Sequence, residues 1–176
     1  MIEIIAVSAL MGFFAKLTDE SEDRGIFGKA AYLFAAAYGA FGAYLSSALG
    51  LASLWVATAF ANVLAKKIDG KFHALGLVVF VLGTLALGIS EFSIPLFMFL
   101  LFFAALDEIN LPGGKTDMVS TIISRRLSLV IATLLVALVF GVWEYFASIA
   151  AFDVAYFASA WSAAKLYPHG KFPEAK

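Results

Sequence analysis

The twelve Lys and Arg residues of this chain fall into four short clusters, and each cluster ends a long apolar stretch. The clusters are Lys16/Arg24/Lys29, Lys66/Lys67/Lys71, Lys115/Arg125/Arg126 and Lys165/Lys171/Lys176. The other connections between apolar runs, near Ser46–Gly50, Ser90–Ser93 and Ser148–Phe152, carry no basic residue. Lys and Arg accumulate on the cytoplasmic side of membrane helices. The pattern therefore predicts an all-α, polytopic membrane bundle with the N-terminus outside and the C-terminus cytosolic. The expected organisation is a single integral membrane domain over residues 1–176, multi-pass in the cell membrane, with a short cytosolic tail at 168–176.

Composition points the same way. Of the 176 residues, 62% are hydrophobic and 14% charged, where a soluble domain carries about a quarter charged. A net charge of −1 leaves no basic surface for nucleic acid, so no nucleic-acid partner is expected. Cys is absent, which excludes disulfides, thiolate metal sites, Fe–S clusters and cysteine nucleophiles; no haem is expected either. Gln is absent too, and Asn occurs only at Asn62 and Asn110. Depletion of thermolabile residues is a trend of hyperthermophiles, although apolar helices leave little room for amides in any organism. Met1–Ala15 has no basic leader, and Lys16 follows the apolar run, so a cleaved signal peptide is not expected.

Seven spans are predicted, at 1–16, 29–48, 50–65, 73–90, 93–106, 127–147 and 149–166, or six if 73–106 is one element. The turn Ser90-Glu-Phe-Ser-Ile-Pro95 favours the division, since Glu91 and Pro95 suit a connection better than a mid-membrane position. Tyr44, Trp55, Phe92, Trp143 and Tyr145 would then form an outer aromatic belt. Span two carries Ala31, Ala35, Gly39, Ala43 and Ser47 at four-residue intervals, with Tyr32, Tyr38, Phe41 and Tyr44 opposite; span seven repeats the device with Ala155, Ser159 and Ala163. Such faces let helix backbones approach closely. They suit packing within the bundle, and also a homo-oligomer or a membrane-complex partner; membrane lipids are the other expected partner.

Nine of the thirteen carboxylates fall on the side of the basic clusters: Asp19, Glu20, Glu22, Asp23, Asp69, Asp107, Glu108, Asp117 and Glu174. Asp69 can cap the helix beginning near Phe72, and Glu22 and Asp23 precede span two, where a helix N-terminus favours negative charge. Asp19, Asp107 and Glu108 instead follow helix C-termini, where the helix dipole disfavours a carboxylate by about 0.3–1 kcal/mol. A divalent cation would relieve them. Oxygen ligands suit Mg²⁺, which takes substrate phosphates as further ligands. The expected metal ligands are Asp19, Asp23, Asp107 and Glu108, with Asp69 as a fifth candidate. His73, four residues after Asp69, is the candidate for proton transfer. Lys66, Lys67, Arg125 and Arg126 are the candidates for phosphate binding.

Glu144 and Asp153 flank the last outer turn, in a half of the chain without Lys or Arg. A lone carboxylate at mid-membrane costs about 2.5–3.5 kcal/mol on insertion scales. Glu144 sits among aromatics and suits an interface, whereas Asp153 is the better candidate for an ion or proton path; Asn62 also needs a polar partner. Three functions fit these features. The first is a Mg²⁺-dependent enzyme acting on a lipid or polyprenyl phosphate or diphosphate at the cytosolic face. The second is a cation- or proton-coupled transporter, and the third a non-catalytic subunit of a membrane complex.

Overall fold

Each apolar run of the sequence coils, and glycines or short polar segments turn the chain between runs. A computed structural model describes residues 1–68, 70–109 and 127–166, the last four of these through their backbone alone. Asp69, Lys115, Asp117, Arg125, Arg126, Glu174 and the 168–176 tail lie outside the described residues. Seven helices occupy the described residues: α1 (Ile2–Arg24), α2 (Ala30–Ser47), α3 (Ala52–Leu64), α4 (Lys71–Leu87), α5 (Ile94–Asp107), α6 (Ser128–Phe140) and α7 (Glu144–Leu166). The helical class matches the reading of the sequence.

The membrane does not. Among the described residues no helix is long and apolar enough to cross a bilayer, which overturns the expected membrane bundle, its multi-pass placement in the cell membrane and its inside and outside assignments. The reason is where the helices stop. The 127–147 run breaks at Gly141, whose φ of 73° terminates α6 after 13 residues. The helix α3 also has 13 residues and α5 has 14. At 1.5 Å per residue these reach about 20 Å, against a hydrocarbon thickness of about 30 Å. The longer helices are diluted: α1 is charged throughout Lys16–Arg24, α2 carries Tyr, Gly and Ser, and α7 carries Glu144 and Asp153. The aromatic belt dissolves as well. Trp55 is buried at 2% exposure and Tyr145 is half-buried, while Phe92 and Trp143 are exposed.

Alternation along the chain survives as bundle geometry. Contacts of α1 with α7 (Ser8 to Ser148, Asp19 to Tyr156), of α2 with α4 (Tyr38 to His73) and of α3 with α5 (Ser53 to Ser93, Lys67 to Glu108) join helices that run the same way. Glu3 meets Tyr44, so α1 and α2 run oppositely. The described basic residues Lys16, Arg24, Lys29, Lys66, Lys67 and Lys71 accordingly gather at one end. Clustered charge among the described residues thus marks one end of the bundle.

The helices α2 and α4 pack closely through small residues. Ala31, Ala35, Gly39, Ala43 and Ser47 are all buried. A Cβ on Gly39 would run into the Gly76 carbonyl, and one on Gly76 into the Tyr38 ring. The main core gathers Leu45, Leu51, Leu54, Trp55, Leu100 and Ile149; burying each large aliphatic side chain stabilises by about 1.5–3 kcal/mol. A smaller cluster of Ala31, Ala35 and Phe72, with Tyr38 and Leu75 against it, holds the first turn of α4.

Candidate functional site

Three of the carboxylates at the basic end are claimed by structure. Glu20 is buried and pairs with Lys16 at 2.9 Å and with Arg24 at 2.9 Å. Glu22 reaches across to α4 and accepts the Phe72 amide at 3.0 Å, filling the space that a side chain on Gly70 would take. Asp107 accepts the amides of Ser128 and Leu129 at 2.9 Å each, one per carboxylate oxygen. A helix leaves its first amides without partners and is positive there. Asp107, at the unfavourable end of α5, is thus relieved by the start of α6. That makes it a cap of α6.

Glu22 and Asp107 join other polar groups around a cavity of about 640 Å³. Its polar lining comprises Asp19, Glu22, Asp23, Tyr38, Asn62, Lys67, His73, Asp107, Glu108, Asp153 and Tyr156. Asp19 is the hub: one oxygen lies 3.1 Å from His73 Nε2, and the other accepts the Tyr156 hydroxyl in a short hydrogen bond. Lys16 Nζ sits 5.2 Å over the Tyr156 ring, so a cation backs this array. Tyr38 donates to the His73 carbonyl at 3.2 Å. Burial, reinforced by Asp19 and Glu22 nearby, pushes the Tyr38 phenol well above the usual tyrosine range. It therefore stays protonated and keeps donating. A carboxylate on one ring nitrogen orients an imidazole and offsets the charge acquired on proton uptake. His73 is thus fixed at two points, its ring by Asp19 and its backbone by Tyr38.

Below the mouth the walls turn apolar helix by helix. Along α1 the lining runs Asp19, Ala15, Met11; along α3, Asn62, Thr58, Trp55; along α4, His73, Leu77, Phe80; along α7, Tyr156, Phe152, Ile149. Each series steps by three to four residues, one helix face per wall. The polarity is therefore graded over two turns, except that Asp153 on α7 enters the lining beside Phe152. Past the floor, Trp55 Nε1 donates to Ser148 Oγ at 3.2 Å, and Ser148 Oγ lies 2.7 Å from Ser8 Oγ. All three residues are buried, and opening such a bond without replacement costs about 1–3 kcal/mol.

Set against the sequence expectations, the structure brings Asp19, Asp23, Glu108, Lys67, His73 and Asp153 to one cavity. Glu108 lies 4.0 Å from Lys67. Lys66 is exposed beside them. Glu144 lies at the opposite end, in a hollow with Glu91 and Tyr145. The candidates Asp69, Arg125 and Arg126 lie outside the described residues. Among the described residues no group of three or more His, Asp or Glu is placed to hold a metal ion by itself. The roles of Tyr38, Tyr156 and Glu22 escaped the sequence reading, because each acts on a residue dozens of positions away. No family model, curated protein or solved structure matches this chain, and the chemistry of the cavity rests on its own residues.

Proposed function

We propose that the chain is an enzyme acting on an amphiphilic phosphate or diphosphate ester, with the polar head at the cavity mouth and the apolar part on its inner walls. The observation that carries this reading is the Asp19–His73–Tyr156 array standing at the polar rim of a cavity whose interior is apolar. His73 takes the proton of an attacking water or hydroxyl as its oxygen bonds phosphorus and the ester oxygen departs with its electron pair. Asp19 orients the imidazole through that transfer. Lys67 faces the head group from the end of α3.

The mouth is rich in carboxylates, so an anionic head enters it most readily with a divalent cation, whose charge stabilises the departing oxygen. Mg²⁺ needs only one or two protein carboxylates beside substrate phosphates. Asp23, which lines the cavity one turn beyond Asp19 on α1, suits that part. Asp19 is engaged by His73 and Tyr156, and Asp107 by α6. A transporter needs a path through a membrane, which no described helix provides, and that reading is not carried forward.

The test is turnover of short-chain alkyl and isoprenyl phosphates and diphosphates by the purified chain, with Mg²⁺ and with EDTA. His73→Gln is expected to lower turnover by about 10²–10⁴-fold, the range for a lost general acid or base, with helicity by circular dichroism unchanged. Turnover indifferent to both EDTA and His73→Gln overturns the proposal.

A further inference from the structure

The cavity has a floor, and the floor is built from side chains that cannot easily move aside. We infer that Trp55 is a length stop: the cavity selects amphiphiles whose apolar chain is about ten carbons long, and rejects longer ones. This inference rests on the amphiphile reading above for the orientation of the ligand, head at Asp19 and chain inward.

The depth follows from the helix face of α1. Asp19 at the mouth and Met11 at the bottom are separated by a little over two turns, about 12 Å. An extended chain advances about 1.2 Å per bond, from the 3.6 Å that three backbone bonds of a residue span. About ten bonds therefore carry an apolar chain from the level of Asp19 to the floor. The volume agrees: about 640 Å³ lies within the roughly 300–1,000 Å³ of pockets that bury a ligand of drug size. A head and a long polyprenyl tail need more.

The floor itself resists a longer chain for three reasons. Trp55 is 2% exposed and packs with its ring centroid 5.3 Å from that of Phe152. Its indole N–H is committed to Ser148, which is bonded in turn to Ser8, so rotating the indole breaks buried hydrogen bonds. Beside this trio the backbones of α1 and α7 touch: a Cβ on Gly12 would run into the Phe152 carbonyl, leaving no gap between those helices for a chain to pass. Beyond the indole an apolar chain would meet hydroxyls already satisfied by one another, and nothing there rewards its arrival.

Calorimetric titration with n-alkyl phosphates of four to sixteen carbons, below their aggregation concentrations and with Mg²⁺ present, tests the stop. For the wild-type chain the affinity is expected to rise roughly fourfold per methylene up to about ten carbons and then level or fall. Trp55→Ala should move the break to longer chains by several carbons, and Trp55→Phe by fewer. Ser148→Ala, which frees the indole, should blunt the break without moving it far. If Trp55→Ala fails to fold, the last two variants decide. A wild-type series with no break, a break unmoved in Trp55→Phe and unblunted in Ser148→Ala, or an absence of chain-length dependence for any head group overturns the inference. Parallel series of n-alkyl amines and n-alkanols separate it from the functional reading. If these show the break and the phosphates do not bind, the length stop stands and the phosphate assignment falls.

Discussion

The two ends of the bundle solve the same electrostatic problem in opposite ways. At the cavity end the acids Asp19, Glu22, Asp107 and Glu108 belong to the C-terminal parts of α1 and α5, where the helix dipole repels them. Each has found relief elsewhere: His73 and Tyr156 for Asp19, the first amide turns of α4 and α6 for Glu22 and Asp107, and Lys67 for Glu108. At the far end Glu3 and Glu144 occupy the first turns of α1 and α7, where the dipole already favours them. Glu3 meets the Tyr44 hydroxyl, and among the described residues the far end carries no Lys or Arg. Nearby, burial and then Glu91 push the Tyr145 phenol up, against a hydrogen bond with Ser53 that pulls it down. Acids that begin helices need no counter-charge. Acids that end them draw in distant partners, and that recruitment is what assembles the site.

The sharpest way to break this contrast is to remove one acid at each end. Asp19→Asn at the mouth should lower turnover by about 10²-fold or more, while Glu144→Gln at the far end leaves it unchanged; equal effects would dissolve the distinction. Next in size is stability. Asp107→Ala strips two amides of their acceptor and should cost about 1–3 kcal/mol in chemical denaturation, with Asp107→Asn retaining part of the cap. A loss below about 0.5 kcal/mol, the scatter of ordinary surface changes, would mean α6 starts without Asp107's help. Gly76→Ala should cost about 1–3 kcal/mol by overpacking against Tyr38, and should reduce turnover with it, since Tyr38 holds the His73 backbone.

A subtler effect is alkaline. The folded Tyr38 phenol keeps its proton to higher pH than the unfolded one. Above about pH 10 the native state therefore binds more protons, and stability falls as pH rises, by up to about 1.4 kcal/mol per pH unit. Below pH 10 the contribution is fully present. Tyr38→Phe should flatten that decline in denaturation measured between pH 9.5 and 11.5; an unchanged slope would show that Tyr38 does not drive it. The smallest effect belongs to Glu144→Gln, where the loss of one favourable first-turn charge is worth about 0.3–1 kcal/mol.

The helices were legible because apolar runs and charged or glycine-bearing connections alternate, and the first two basic clusters, which the described residues contain, lie at a common end. Membrane crossing was over-read. Hydrophobic content says how much of a chain avoids water but not where a helix stops, and the stop at Gly141 shortened a run that looked continuous over 127–147. In the cavity, Asp19, His73 and Asp153 stood out as polar residues in awkward places. Tyr38 and Tyr156 did not, since an aromatic within an apolar helix carries no mark of what its hydroxyl meets, and Tyr156 meets a residue 137 positions away. The cap at Asp107 was hidden for the same reason: a carboxylate after a helix looks exposed until another helix is seen to begin beside it.

One turn of α1 addresses α4 twice, since Asp19 holds the His73 ring and Glu22 holds the Phe72 amide immediately before it. The acid and the imidazole are thus pinned to a common strut. Two contacts from one turn of α1 fix both the position and the rotation of the first turn of α4, where a single contact would leave it free to pivot.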